Sequence, residues 1–162
     1  MNAEYLRSIL FYEPDTGMFT WLIDNGKRCW KGRVAGSVNR LGYRIIRIDK
    51  KAYRGGRLAW LYMTGGWPKV YIDHINCIKD DDRWCNLREA DEYQNIYNKG
   101  ISIRNTSGFK GATFRYNVNK WEAAINLDGL YHTLGFYDTA EEAGEAYEKA
   151  AIKYHKEFAR VR

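Results

Sequence analysis

The sequence predicts an α+β chain. It should hold a β-rich N-terminal module, a central strand–loop–strand–helix segment, and a C-terminal three-stranded antiparallel sheet packed on one helix. Three observations predict this. The apolar period changes along the chain, from two residues in the short runs to three and four in the longer ones. Turn pairs such as Asn25-Gly26 and Asp128-Gly129 separate the short runs. Hydrophobic residues make up 45% of the 162, with only two prolines, which supplies a core and excludes a disordered, collagen-like or coiled-coil chain. The expected boundaries are 1–68, 69–100 and 104–162.

In the first module, Tyr5, Leu6, Ile9 and Leu10 lie at helical spacing, which predicts a short amphipathic helix over 4–12. Pro14 to Gly17 make a turn. Residues 18–23 read as a strand, Asn25-Gly26 as a hairpin turn, and 43–49 as a further strand that turns at Asp49, Lys50 and Lys51. Residues 57–65 read as a helix stopped by Gly65, Gly66 and Pro68.

Residues 70–76 should be a strand running into a polar loop, and 87–90 a second strand. Asp91 with Gln94 has the spacing of a capping box for a helix ending near Lys99 and Gly100. Farther on, Trp121, Ala123, Ile125 and Leu127 alternate with Glu122, Ala124 and Asn126, as in a strand with two unlike faces. Asp128-Gly129 joins it to the next strand. Thr139 with Glu142 is a second capping box, followed by the stripe Ala143, Ala146, Tyr147, Ala150, Ala151, Tyr154 and Phe158. Small side chains let a helix lie close on a sheet, so this helix should cover the Trp121/Ile125 face and leave the other open.

Composition narrows the function. Lys and Arg number 26 against 20 Asp and Glu, a formal net charge of +6. Residues 1–68 carry 12 basic and 5 acidic side chains, while 69–99 carry 5 and 7. A basic region therefore stands beside an acidic one around Asp73 and Asp80 to Asp82, an arrangement suited to gripping phosphate next to a bound cation. The three cysteines form no C-x-x-C pair, which disfavours a disulfide framework and a cysteine-ligated zinc. No apolar run spans a membrane and no signal peptide is evident, so the expected location is the cytoplasm.

Asp73, His74, Asn86 and Asn95 form the constellation that carries chemistry. Phosphodiester hydrolysis needs a base to activate water, a cation to neutralise developing charge, and a group that holds the base in orientation. A His beside an Asp at a strand end offers base and hard oxygen ligand together. An amide on the following helix can bring a second oxygen to one cation. A single acidic ligand suits Mg²⁺ or Mn²⁺ that keeps several waters.

The segment YIDHINCIKDDDRWCNLREADEYQNIYN resembles the core of the phage and intron homing branch of the HNH endonucleases, which reads D-H-I-N-G-D, N-R-x-x-N-L-R and S-x-x-N-x-x-N. The resemblance implies two strands and a helix around one divalent metal. Asp73 and Asn95 would be metal ligands, His74 the general base, and Asn86 the residue that positions the catalytic loop. Cys77 stands where the family usually has Gly, Ala90 where Thr is common, and Gly56 where relatives usually have His.

Residues 5–68 also resemble the N-terminal region of such phage proteins. From charge alone, Lys27, Arg28, Lys31, Arg33, Arg40, Arg44 and Arg47 are expected to contact the DNA backbone. The last 55 residues resemble the Apetala/ethylene-response-factor DNA-binding domain, whose three-stranded sheet lies in the major groove. By position, Lys110, Thr113, Arg115, Asn117, Asn126, Tyr131 and Thr133 would face DNA. His132 is read as a core or edge histidine, and His155 as a surface residue favoured by the helix dipole.

The sequence thus points to a metal-dependent endonuclease acting on double-stranded DNA, cutting one strand per monomer. The alternative is a DNA-binding regulator without catalysis, carried by the sheet module alone.

Overall fold

The structure is a computed structural model and describes residues 1–24 and 30–161. The Asn25-Gly26 turn, Lys27, Arg28 and Cys29 lie outside the described residues. The fold is α+β, built of short helices and small antiparallel sheets. The chain divides into two units, Met1–Ala90 and Asp91–Arg162.

In the first unit, helix α1 spans Ala3–Ile9, and the Asn2 side chain caps it by accepting from Tyr5 N–H at 2.9 Å. The helix is shorter than 4–12. At Leu10 the backbone turns extended, and β1 (Leu10–Glu13) buries Leu10 and Tyr12 while Phe11 points out. Period two wins there because β1 pairs with β2 (Met18–Trp21) in register Leu10 to Trp21 through Glu13 to Met18. A three-stranded sheet follows, ordered β3 (Ser37–Val38), β4 (Arg44–Ile48), β5 (Lys51–Arg54). Its β4–β5 turn places Asp49 and Lys50 in the left-handed region, at φ 49° and 65°.

Helix α2 (Gly55–Thr64) starts directly from β5 and ends at Gly65, whose φ of 82° closes it with a backbone bond to Leu61. Strands β6 (Tyr71–His74) and β7 (Leu87–Ala90) pair antiparallel, His74 opposite Leu87, with a 3-10 turn at Trp84–Asn86 between them. Residues 69–90 share the core of the preceding 68. Leu87 is buried with Leu6, Leu10, Tyr12, Phe19, Ile46, Ile48, Leu58 and Leu61, and Ile72 and Trp84 pack against them. Each fully buried aliphatic side chain of this set contributes about 1.5–3 kcal/mol.

In the second unit, α3 (Glu92–Tyr97) begins at the expected capping box, with Gln94 N–H donating to Asp91 and Asp91 N–H to Gln94. The sheet is ordered β10 (Leu130–Tyr137), β9 (Lys120–Leu127), β8 (Ala112–Arg115), all antiparallel. Helix α4 (Ala140–His155) is capped by Thr139 and Glu142. Ala143, Tyr147, Ala150 and Ala151 of α4 pack on Ala123, Ile125, Trp121 and Leu127 of β9, so the helix covers the face that the alternation predicts. No described helix is long and apolar enough to cross a membrane.

Candidate active site

Asp73 and His74 end β6, and both are buried. His74 Nε2 lies 3.0 Å from Asp82 Oδ1. An ionised carboxylate can only accept, so Nε2 is the donor in this contact. Asp82 is 1% exposed. Burial pushes its carboxyl up, while the His74 imidazole and the Arg44 guanidinium pull it down, and burial wins.

The N-terminal hairpin braces the loop that carries Asp82. Tyr12 O–H donates to the Asp82 carbonyl at 2.6 Å, and Trp84 N–H to the Pro14 carbonyl at 2.9 Å. At Gly17, with φ 72°, a Cβ would stand 2.4 Å from Arg83 N, so only glycine lets the turn pass under the loop.

Gly55 and Gly56 close the other side. A Cβ at Gly55 would meet Asp82 Oδ2 at 1.9 Å, and one at Gly56 would lie 3.2 Å from Oδ1. The Asp82 carboxylate therefore fills the space that a side chain at position 55 would need and crowds one at position 56.

Asn86 ties the loop together. Its Nδ2 donates to Asn76 Oδ1 at 3.0 Å and to the Asp81 carbonyl at 2.8 Å, and its Oδ1 accepts from Asn76 N–H at 3.0 Å. Asn76 Nδ2 donates to Asp81 Oδ2 at 2.6 Å, and Arg83 grips the same carboxylate with Nε and Nη2. These bonds, Arg83 foremost, hold the Asp81 carboxyl down at about 2. Cys77 sits in this loop at φ 62°, a conformation glycine adopts without strain and other residues at a cost of about 1–2 kcal/mol.

Asp73 meets Arg88 across the β6–β7 pair, with Nε at 3.0 Å and Nη2 at 2.9 Å, both on Oδ2. Among the described residues no three His, Cys, Asp or Glu side chains gather into a cage. One carboxylate with amide and phosphate oxygens fits a hard divalent cation that keeps most of its waters, and does not fit a closed zinc site. Asn95 lies half-buried on α3, in the second unit.

Sequence reasoning missed Asp82 as the partner of His74. Its signal is the Asp80–Asp82 run, whose charge attracts a cation but does not say which carboxylate turns inward. It also missed two cations over the neighbouring Tyr43, one of them, Lys79, also donating to the Leu41 carbonyl at 3.0 Å. The Tyr43 ring lies 6.2 Å from the His74 ring, with Arg54 stacked over it at 4.1 Å and Lys79 at 5.2 Å. Arg54 and Lys79 are exposed, and neither forms a salt bridge among the described residues.

Of the basic residues expected on the DNA backbone, Lys31, Arg33, Arg40 and Arg47 are exposed. Arg44 departs from the expectation. It is half-buried with its Nε enclosed, and its charge acts on Asp82.

In the second unit, Thr113, Arg115, Asn117, Asn126, Tyr131 and Thr133 are exposed, and exposed Phe136 pairs in register with Glu122. Lys110 is not among them. Its ammonium donates to the carbonyls of Tyr97 and Lys99 at 2.7 Å and of Arg160 at 3.2 Å, so three backbone acceptors compete for it against any phosphate.

His155 is likewise not a surface cation. It is 5% exposed, its ring stacks on Tyr97 at 3.7 Å, and Nε2 lies 3.0 Å from the Asn126 carbonyl. Burial, helped by the Lys110 charge, lowers its pKa and keeps it neutral, which removes the dipole argument. His132 is exposed on its strand, opposite Ile125.

The strand–loop–strand segment tied by asparagine and the sheet-on-helix module stand in a chain similar to HNH endonucleases and to AP2-like proteins. The chain belongs to the HNH endonuclease family, whose model, described as HNH endonuclease, matches residues 56–95. It is 32% identical over 113 residues to Protein 3.8 of Escherichia phage T7, covering 69% of this chain and 93% of that protein. It is 31% identical over 100 residues to the Uncharacterized HNH endonuclease L560 of Acanthamoeba polyphaga mimivirus, covering 61% of this chain and 51% of that one. It is also 32% identical over 112 residues to the AP2-like ethylene-responsive transcription factor PLT2 of Arabidopsis thaliana, covering 65% of this chain and 19% of the plant protein. The chain thus spans about half of the mimivirus relative and a fifth of the plant one.

Proposed function

We propose that the protein is a metal-dependent, homing-type endonuclease that hydrolyses phosphodiester bonds in double-stranded DNA, nicking one strand per monomer. The observation that carries this reading is the buried His74–Asp82 pair at the end of β6, with Asp73 the preceding residue of the same strand. Asp73 and Asn95 are the proposed metal ligands, and Mg²⁺ or Mn²⁺ the proposed ion, which when bound would neutralise charge developing on the phosphoryl and leaving oxygens.

The His74 imidazole takes the proton of the attacking water as its oxygen bonds to phosphorus and the ester oxygen leaves. Asp82 holds the proton on Nε2 and stabilises the imidazolium that forms. Asn86 keeps the loop between the strands in one conformation, so the base does not drift. Arg54 and Lys79, held over Tyr43, are placed to grip phosphates of the bound strand. The remaining exposed N-terminal cations and the open face of the C-terminal sheet supply DNA contacts away from the reacting bond.

Incubating the full chain with Mg²⁺ or Mn²⁺ and supercoiled DNA should give nicked circles, and EDTA should stop it. His74→Ala should lose about 10²–10⁴ in rate, the usual worth of a general base. A His74→Ala protein that cuts as fast as its parent overturns the assignment. DNA binding with no divalent-dependent cutting by the parent would assign the protein to the binding regulators.

A further inference from the structure

We propose that Glu122 fixes Arg115 as the guanine-reading side chain of the C-terminal sheet and so sets base preference at one position of the DNA site. The proposal rests on the reading of that sheet as a DNA-binding face.

Glu122 belongs to the strand face that the helix does not cover. Its register partner on β8 is Thr113, which is exposed. Yet Glu122 is only 5% exposed, because its neighbours close over it. Arg115 Nε donates to Oε2 at 2.5 Å and Thr133 Oγ1 to Oε1 at 2.6 Å. Arg115 Nη2 in turn donates to Tyr131 O–H at 3.2 Å.

A carboxylate on a surface meant for a polyanion opposes binding unless it is neutralised and buried, and here it is both. Burial raises the carboxyl, but the bonds from Thr133, Arg115 and Tyr131 outweigh it and hold Glu122 ionised.

The consequence falls on Arg115. A free arginine samples many rotamers and meets phosphates without regard to sequence. This one is tethered at Nε and Nη2, two of its five N–H donors. Both Nη1 hydrogens and one on Nη2 lie outside those two bonds, and a pair of parallel guanidinium N–H donors matches the O6 and N7 acceptors of guanine. Glu122 is thus a positioning residue. It needs no contact with DNA, and its effect should appear as sequence discrimination and not as overall affinity.

The test uses the full chain in EDTA, so that binding is read without cutting. Sites are selected from a randomised duplex pool, and dissociation constants are then compared for the selected site and its single base-pair substitutions. The parent should show a guanine preference that Arg115→Ala abolishes. Glu122→Gln should reduce discrimination at that same position by about ten-fold and leave the other positions unchanged. The Arg115→Ala/Glu122→Gln double variant should discriminate no worse than Arg115→Ala.

Unchanged discrimination in Glu122→Gln, or an equal loss at every position, overturns the proposal while leaving DNA binding by the sheet intact. If Glu122→Gln does not fold, Tyr131→Phe removes the hydroxyl that joins Glu122 to Arg115. A weaker preference at the same position then supports the proposal, and an unchanged one overturns it. A parent that binds no duplex in the pool overturns the DNA-binding reading together with the proposal.

Discussion

Replacing Asp82 by Asn preserves the shape of a side chain that is 1% exposed and removes its charge. The amide oxygen can still accept from His74 Nε2, now 3.0 Å from the carboxylate, so the ring keeps its place. What disappears is the negative charge facing the imidazolium that forms when His74 takes a proton. A hydrogen bond to a charged group is worth about 1.5–3 kcal/mol net and a neutral one about 1. The difference of about 0.5–2 kcal/mol predicts a fall in kcat of about two- to thirty-fold. KM should not move, because Asp82 is buried away from DNA. Stability should change little, since the Asn relieves the cost of burying a carboxylate while losing its attraction to Arg44. Asp82→Ala is the contrast, leaving Nε2 without its partner at a cost of about 1–3 kcal/mol to the fold. Single-turnover cleavage with saturating protein, beside urea melts of each variant, separates these outcomes. A parent rate in Asp82→Asn refutes the reasoning, and so does a loss as large as that of His74→Ala in a protein of parental stability.

Gly55→Ala should behave as a milder Asp82 variant, because its Cβ would stand 1.9 Å from Oδ2 and push the carboxylate off His74; a fully active Ala variant in the same cleavage assay would show that the pair does not matter. Arg54→Ala should weaken DNA binding uniformly across sequences and flatten the slope of log K against log salt by about 0.9, the worth of one phosphate contact; an unchanged slope removes Arg54 from the interface. The lowered pKa of His155 means the fold binds its proton less readily than the unfolded chain does. Stability is therefore full above the unfolded value of about 6.5 and declines as pH falls below it. In melts of the full chain between pH 7 and 5, His155→Phe should flatten that decline while keeping a ring against Tyr97; identical slopes in parent and variant count against the assignment.

Local signals proved legible where a few neighbouring residues decide the outcome. The two capping boxes need only Asp91 with Gln94 and Thr139 with Glu142, and both form as read. The Trp121–Leu127 alternation and the alanine stripe specify their own faces, so the covered side of the sheet followed from period alone. The helix over 4–12 was overextended because Leu10 and Tyr12 satisfy either period, and only the pairing with β2 decides between them. The site residues divide along the same line. Asn86 could be expected to organise its loop because the loop is short. Asp82 was invisible as the partner of His74 because the contact depends on two glycines 26 and 27 residues earlier and on Tyr12, 70 residues away. Arg44, Lys110 and His155 were read as surface cations because charge says nothing about direction. Their inward placement comes from tertiary neighbours that the sequence does not place next to them.

The ammonium of Lys110 and the stacked pair Tyr97–His155 fasten α3 to the C-terminal half of the chain. Tyr97 O–H also accepts from Asp128 N–H at 2.6 Å, at the tip of the β9–β10 hairpin. Anyone dissecting or shuffling this protein should therefore cut ahead of Asp91. A fragment begun at 104 would lose Tyr97 and bare the imidazole it shelters, whereas one begun at 91 would carry that helix, Asn95 included, as freight.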